Sequence, residues 1–225
     1  MGLLDFLFPR TCFGCGKGES YLCANCLSKV KKIKSFCPGC EKPSIDGMAH
    51  VKCKTPLSLD GLTSLWRYEG VIRKTILAIK YKFTYDVASG LAEACVIKLW
   101  NTPITTLGRD EAILVPIPLH KSRERWRGFN QSEKIGELVA KGLGWEFSPD
   151  LLVRKIATKS QTELKKKDRK GNVRGVFAIN ANYPLLSTSY LLFDDVWTTG
   201  STLKEACRAL KQNGVKTVWG LTIAS

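Results

Sequence analysis

The chain has 225 residues, of which 44% are hydrophobic and 24% charged, the balance of a folded protein with room for one moderate domain and a small one. Its 35 Lys and Arg outnumber 20 Asp and Glu, for a net charge of +15, so nucleic acid, anionic lipid and polyphosphate substrates are all electrostatically attractive. No run of about 18 apolar residues occurs, which excludes a membrane-spanning helix.

The opening MGLLDFLFPR has no basic residue ahead of its short apolar stretch and no small-residue cleavage site, so it does not read as a signal peptide. Phe6 also breaks the myristoylation pattern that Gly2 would begin. The expected location is the cytoplasm.

Seven of the nine cysteines fall between Cys12 and Cys53, and in a reducing compartment such clustering favours metal over disulfides. The spacing is Cys12-x2-Cys15, Cys23-x2-Cys26, Cys37-x2-Cys40 and His50-x2-Cys53. A C-x2-C knuckle sets two thiolates on one side of a tight turn, and four such pairs supply the eight ligands of two tetrahedral Zn2+ sites. Sequential pairing is simplest: Cys12, Cys15, Cys23 and Cys26 in one site, Cys37, Cys40, His50 and Cys53 in the other. An interleaved arrangement is also geometrically possible, and the spacing does not exclude it. Both sites are full without water, so the zinc reads as structural, and it supplies most of the folding energy of a module with little core. Cys95 and Cys207 fall on apolar helix faces and read as core residues. Lys29, Lys31, Lys32 and Lys34, interleaved with Val30, Ile33 and Phe36, form a basic stripe that can track phosphates or simply face solvent.

Composition changes near residue 56, and the boundary is placed at Ser58. Residues 1–57 form the cysteine-rich module and 58–225 a second domain. In the second domain Leu62–Tyr68 reads as a strand, and Val71–Tyr81 and Tyr85–Trp100 as helices. Ala112–Pro116 reads as a buried strand, Ser132–Lys141 as a helix and Leu151–Lys155 as a short strand. Residues 157–175, rich in Lys and Arg, read as a loop. Tyr190–Phe193 is a buried strand, Ser201–Asn213 a helix closed by Gly214, and Thr217–Ile223 a last strand. Strand and helix alternate, which predicts an α/β fold with a parallel sheet flanked by helices, its ligands at the carboxyl ends of the strands.

Two stretches carry the chemistry. After the strand at 112–116, Arg123, Arg125 and Arg127 precede Gly128. Arginine forks in a loop at that sheet edge suit diphosphate oxygens. In Phe193-Asp194-Asp195-Val196-Trp197-Thr198-Thr199-Gly200-Ser201-Thr202, an apolar strand ends in two carboxylates, followed by a hydroxyl-rich turn and a helix start. Backbone N–H groups at a helix start cradle an anion. Gly200 allows a phosphate close approach, and Thr199, Ser201 and Thr202 add hydroxyls. The carboxylates would repel that phosphate but suit sugar hydroxyls and a divalent cation. A ribose 5-phosphate satisfies both ends.

This stretch resembles the 5-phosphoribosyl pyrophosphate (PRPP) motif of type I phosphoribosyltransferases. The resemblance implies that Asp194 and Asp195 hold the ribose hydroxyls while Thr198, Thr199, Gly200, Ser201 and Thr202 wrap the 5-phosphate, with Mg2+ accompanying PRPP. Trp197 stands where that motif is variable and receives no role. The run Pro116-x-Pro118-x4-Arg123-x3-Arg127-Gly-Phe-Asn-Gln131 narrows the likeness to the ComF-like proteins of bacterial competence and DNA utilisation. Members of that family also carry an N-terminal double zinc ribbon and a DD-x2-TTG-x-T loop. The span from Arg154 to Phe177 resembles the family's mobile loop, and the likeness covers nearly the whole chain. The departure is His50, where many relatives have Cys. The resemblance implies pyrophosphate contacts for Arg123 and Arg127 and a cleft position for Lys80.

The implied reaction is displacement of pyrophosphate from PRPP by an acceptor that the motifs do not identify, in competence, DNA uptake and utilisation. The alternative is a non-catalytic protein, regulated by PRPP or a nucleotide, that binds single-stranded DNA or docks a competence helicase.

Overall fold

A computed structural model of the chain describes residues 10–18, 20–81, 85–100, 102, 104, 112–155, 175–185 and 189–225. The basic loop expected at 157–175 therefore lies almost wholly outside the described residues.

Runs such as Tyr190-Leu191-Leu192-Phe193 are apolar on both faces, as strands covered by helices on both sides must be. They assemble a five-stranded sheet in the order β1 (Gly61–Trp66), β7 (Thr217–Ala224), β6 (Ser189–Val196), β2 (Ala112–Pro116) and β3 (Glu146–Phe147). Every pairing in it is parallel. Helices α2 (Gly70–Tyr81), α3 (Tyr85–Leu99) and α5 (Gln131–Leu143) bury Ile72, Ile76, Leu91 and Ile135 against one face, in a core with Leu114, Leu191 and Phe193. On the other face α6 (Ser201–Gln212) buries Leu203, Ala206, Cys207 and Leu210, at helical spacing, against Leu192, Val115 and Val218. Each fully buried Leu or Ile contributes about 1.5–3 kcal/mol. Cys95 and Cys207 are both fully buried, as core residues.

From β2 the chain passes through α5 to β3 on one side. From β6 it passes through α6 to β7 on the other. Because β2 and β6 are neighbours, the strand order reverses between them. A crevice opens at such a switch point beyond the carboxyl ends of the strands.

Several elements differ from the sequence reading. The stretch containing Arg123, Arg125 and Arg127 is not a loop. It is helix α4 (Lys121–Arg127), whose first turn is capped by the His120 side chain and whose end turns at Gly128 with φ 83°. Seven residues between Pro-rich and Gly-containing flanks show too little periodicity to be read as helix. Strand β6 runs on through Asp194 and Asp195 to Val196, because β7 pairs with it as far as Val196. Strand β1 starts at Gly61 and stops at Trp66, two residues before the expected end. The short strand β4 (Leu152–Arg154) joins not the main sheet but an antiparallel pair with β5 (Phe177–Ile179).

The cysteine-rich segment contains the short helix α1 (Ala24–Ser28) and lies against the sheet. Cys12 is buried in the first core, with Phe13, Leu22, Leu27 and Val30 packed on it, while Phe36 packs on the second. Met48 forms an antiparallel bridge with Gly61, and the Ala49 N–H donates to Asp60 O at 2.9 Å.

Candidate functional site

The eight expected metal ligands form two clusters, Cys12, Cys15, Cys23 and Cys26 in one and Cys37, Cys40, His50 and Cys53 in the other. Within each, all ligand atoms lie within 4.8 Å of one another. Zn–S bonds of about 2.3 Å in a tetrahedron put sulfurs about 3.8 Å apart. The Cys12–Cys23 and Cys15–Cys23 sulfurs are separated by 3.5 and 3.8 Å, so the donor set fits the ion. The pairing is the sequential one.

The knuckle backbone supports this chemistry. The N–H groups of Gly14 and Cys26 donate to the sulfurs of Cys12 and Cys23, each at 3.4 Å. Those of Gly39 and His50 donate to Cys37 Sγ at 3.4 and 3.3 Å. Such bonds favour thiolates over thiols. His50 Nδ1 is 3.3 Å from Cys40 Sγ, and Nε2 is 3.1 Å from Pro43 O. A proton on Nε2, donated to that carbonyl, leaves the Nδ1 lone pair for the metal.

At the carboxyl end of β6, a cleft of about 250 Å³ is lined by Tyr68, Lys80 and residues of the 194–203 stretch, among them Asp194, Asp195, Thr198, Gly200, Ser201 and Thr202. Thr199 lines a different cleft on the other side of the loop, which Ser201 also reaches. Thr199 and Ser201 are tied by a 2.8 Å hydroxyl–hydroxyl bond. Gly200 caps α6 with φ 67°. A Cβ there would lie 2.1 Å from the Trp197 ring, so the position demands glycine on both conformational and steric grounds.

The two aspartates meet different partners. Lys80 Nζ lies 2.7 Å from Asp195 Oδ2, with the Asp195 side chain 7% exposed and that of Lys80 22%. Gln131 Nε2 donates to the same oxygen at 3.2 Å, and Arg127 Nη1 donates to Gln131 Oε1 at 2.6 Å. Arg127 thus reaches Asp195 through Gln131. Asp194 Oδ1 accepts from Ser132 Oγ at 3.0 Å and from the Asp195 N–H at 2.9 Å. Burial pushes the Asp194 carboxyl up, and the neighbouring Asp195 charge adds to it. The Asp195 N–H, Lys80 and Ser132 oppose the shift but leave it at about 7. Burial pulls the Lys80 ammonium down, but the Asp195 carboxylate outweighs it and the net shift is upward.

The expected site residues Lys80, Arg127, Asp194 and Asp195 are therefore brought into one connected group at the sheet's carboxyl edge. Arg123 lies on α4, and its side chain falls outside the described residues. Sequence reasoning missed Gln131 and Ser132, which hold the two carboxylates. Their signal was the Asn130-Gln131-Ser132 run at a helix start: Asn130 caps α5 by accepting from the Ser132 N–H and donates to Ile117 O, fixing both neighbours beneath β6. It also gave no role to Trp197. That residue is 5% exposed, and its ring packs over Gly200, against Phe36 and beneath the Lys204 ammonium.

Residues 3–54 match the family model of the double zinc ribbon domain. The chain is 26% identical to the DNA utilization protein YhgH of Shigella flexneri over 93% of its own length and 94% of that protein's. It is 27% identical to competence protein F of Haemophilus influenzae, covering 95% of this chain and 90% of that one. Against competence protein ComFC of Bacillus subtilis it is 27% identical, over 88% and 81% of the two chains. Among solved structures, the glutamine PRPP amidotransferase from B. subtilis complexed with ADP and GMP superposes with a TM-score of 0.42 and 12% identity, over 64% of this chain and 30% of that one. The chain spans under a third of that structure's length, and the likeness is too loose to argue from.

Proposed function

The chain matches the ComF-like competence and DNA utilization proteins at the level of the family, and on that footing we propose that it binds PRPP with Mg2+ at the Asp194–Thr202 cleft and transfers the phosphoribosyl group. The observation that carries this reading is the join between β6 and α6. Paired carboxylates and a glycine-capped helix start line one cleft, with Lys80 and Arg127 in the same network. A phosphate suits the helix start, and a ribose diol suits the carboxylates.

In this reading Asp194 and Asp195 accept from the ribose hydroxyls, and Thr198, Gly200, Ser201 and Thr202 surround the 5-phosphate. Thr199 supports the loop through Ser201. Lys80 and Arg127 supply positive charge toward the pyrophosphate, and the family resemblance adds Arg123 to them. The acceptor nitrogen forms a bond to C1 as the C1–oxygen bond breaks, pyrophosphate leaves with the electron pair, and the acceptor loses a proton. Mg2+, when bound, neutralises charge on the departing pyrophosphate. Zinc in the two cysteine clusters is structural, since each cluster's four ligands complete a tetrahedron.

Calorimetry with PRPP and MgCl2 tests this, wild type against Asp195→Asn. Wild type binds and the variant does not. A wild-type protein with two bound zinc ions and no PRPP heat sinks the reading.

A second reading, a nucleotide-regulated binder of single-stranded DNA without turnover, is favoured by Lys29, Lys31, Lys32 and Lys34, all four of them exposed. Such binding falls steeply with salt and survives Asp194→Ala. Magnesium-dependent pyrophosphate release lost in that variant decides for transfer. A helicase partner would instead be recognised by co-purification.

A further inference from the structure

A cleft of about 570 Å³ lies on the far side of the phosphate loop, between the second cysteine cluster, the connecting segment and α6. It is more than twice the size of the cleft beside Asp194 and falls within the range of about 300–1,000 Å³ typical of small-molecule sites. Its lining is divided by chemistry. Pro38, Leu57 and Leu59 give an apolar part next to Cys53. Lys204 and Arg208, four residues apart and so on one face of α6, give a cationic part. Thr199 and Ser201 also line it. Glu205, between Lys204 and Arg208 in the sequence, also lines the cleft, its Oε1 accepting from the Gly175 N–H at 2.6 Å.

We infer that this cleft binds a nucleotide, separately from the Asp194 site. The apolar part takes the flat base and the guanidinium of Arg208 with the Lys204 ammonium takes the phosphate. Glu205 disfavours a bare anion beside it but accepts from sugar hydroxyls, which selects a nucleotide over inorganic phosphate. The Lys204 ammonium also lies 5.1 Å from the centroid of the Trp197 ring. A phosphate held there bonds the cation that lies on the Trp197 ring, and Trp197 packs over Gly200, so occupancy is linked to the loop through Lys204.

The test is calorimetry on the zinc-loaded full chain, with AMP as the probe. AMP binds wild type, and binds roughly tenfold or more weakly to Lys204→Ala/Arg208→Ala, the loss expected for charge-assisted bonds to phosphate. Arg208→Ala alone leaves the Lys204–Trp197 contact intact and still weakens AMP about fivefold or more. Adenosine binds at least about tenfold more weakly than AMP. Because AMP is itself a ribose 5-phosphate, Asp195→Asn removes PRPP and any AMP held at the Asp194 cleft. The AMP binding that remains in that variant, and is weakened by adding Arg208→Ala, belongs to this cleft, so failure here and failure of the PRPP reading are distinct results. No AMP heat with wild type, equal affinity in Arg208→Ala, or loss of AMP binding in Asp195→Asn each overturns the inference.

Discussion

Phe36, one residue before the cluster cysteine Cys37, stands edge-on to Trp197 in the loop between β6 and α6, with ring centroids 6.1 Å apart and planes at 62°. The cysteine-rich module therefore touches the loop of the candidate ligand site through an aromatic pair. Trp197 in turn fills the space over Gly200. Truncation of Trp197 to Ala should cost about 3–5 kcal/mol, as for other buried aromatics, and should weaken PRPP binding by releasing the loop. Phe36→Ala, at a half-buried position, should cost less, yet still weaken PRPP while both zinc ions stay bound. Chemical denaturation, zinc content and PRPP titration on the two variants check this. Unchanged PRPP affinity in both would mean the pair is mere packing.

Lys80 and Asp195 form a close pair with little exposure. Removing the cation leaves a buried carboxylate uncompensated, at a cost on the order of 3 kcal/mol. Lys80→Met should therefore lower the denaturation midpoint markedly. The double variant Lys80→Met/Asp195→Asn should recover most of the loss, because no buried charge remains. A double-mutant cycle measures the coupling directly. Additive effects would show that the pair is well screened.

Asp194 titrates at about 7 in the fold, against about 3.9 in an unfolded chain. Between those values the folded state binds more protons than the unfolded one, so this group's contribution to stability falls as pH rises from about 4 to about 7. Ligand binding runs the other way, because a carboxylate accepts from ribose hydroxyls and meets Mg2+ better than a carboxylic acid does. PRPP affinity should climb through about pH 7 and level off above it. Asp194→Asn should flatten the stability profile and abolish the rise in affinity. Thermal unfolding between about pH 4 and 8 and PRPP titration between about pH 6 and 8.5 follow both.

The metal clusters predict their own stoichiometry. Two zinc ions per chain should be found, falling to one in Cys53→Ser and in His50→Ala. His50→Cys should keep both, since zinc accepts either ligand in a tetrahedral site. Elemental analysis after gel filtration reads this out. Retention of two ions in Cys53→Ser would mean that the second cluster closes with another donor.

Gly200 admits no side chain. Its φ of 67° is costly for other residues, and the indole of Trp197 fills the Cβ position. Gly200→Ala should reduce stability by about 1–3 kcal/mol and reduce PRPP binding more than any substitution at Thr199, which lines the other cleft. Comparing the two variants by calorimetry checks the order.

Much of this was legible in the chain itself where the signal is local. Each C-x2-C pair is a knuckle that needs only its own turn. The apolar run into Asp194-Asp195 and on to Gly200 marks a strand, a turn and a helix start without reference to anything distant. The Lys121–Arg127 helix was not legible, because its residues, Trp126 apart, are polar and too few to show a period. Nor was the reach of β6 past the aspartates, which depends on β7 continuing alongside to Ala224.

The order of residue types along the chain was thus enough to give eight ligands for two metal sites, though not which of them share a site, and an alternating α/β domain with its acidic, glycine-hinged turn. Tertiary structure alone decided what the aspartates touch. Gln131 and Ser132 come to them from 64 and 62 residues away, and Lys80 arrives from a helix on the far side of β2 in the sequence. Periodicity and motif spacing report on neighbours within a turn or a strand. Which helix start lies under which strand end is set by the strand order β1-β7-β6-β2-β3, and that order comes from packing both faces of the sheet at once.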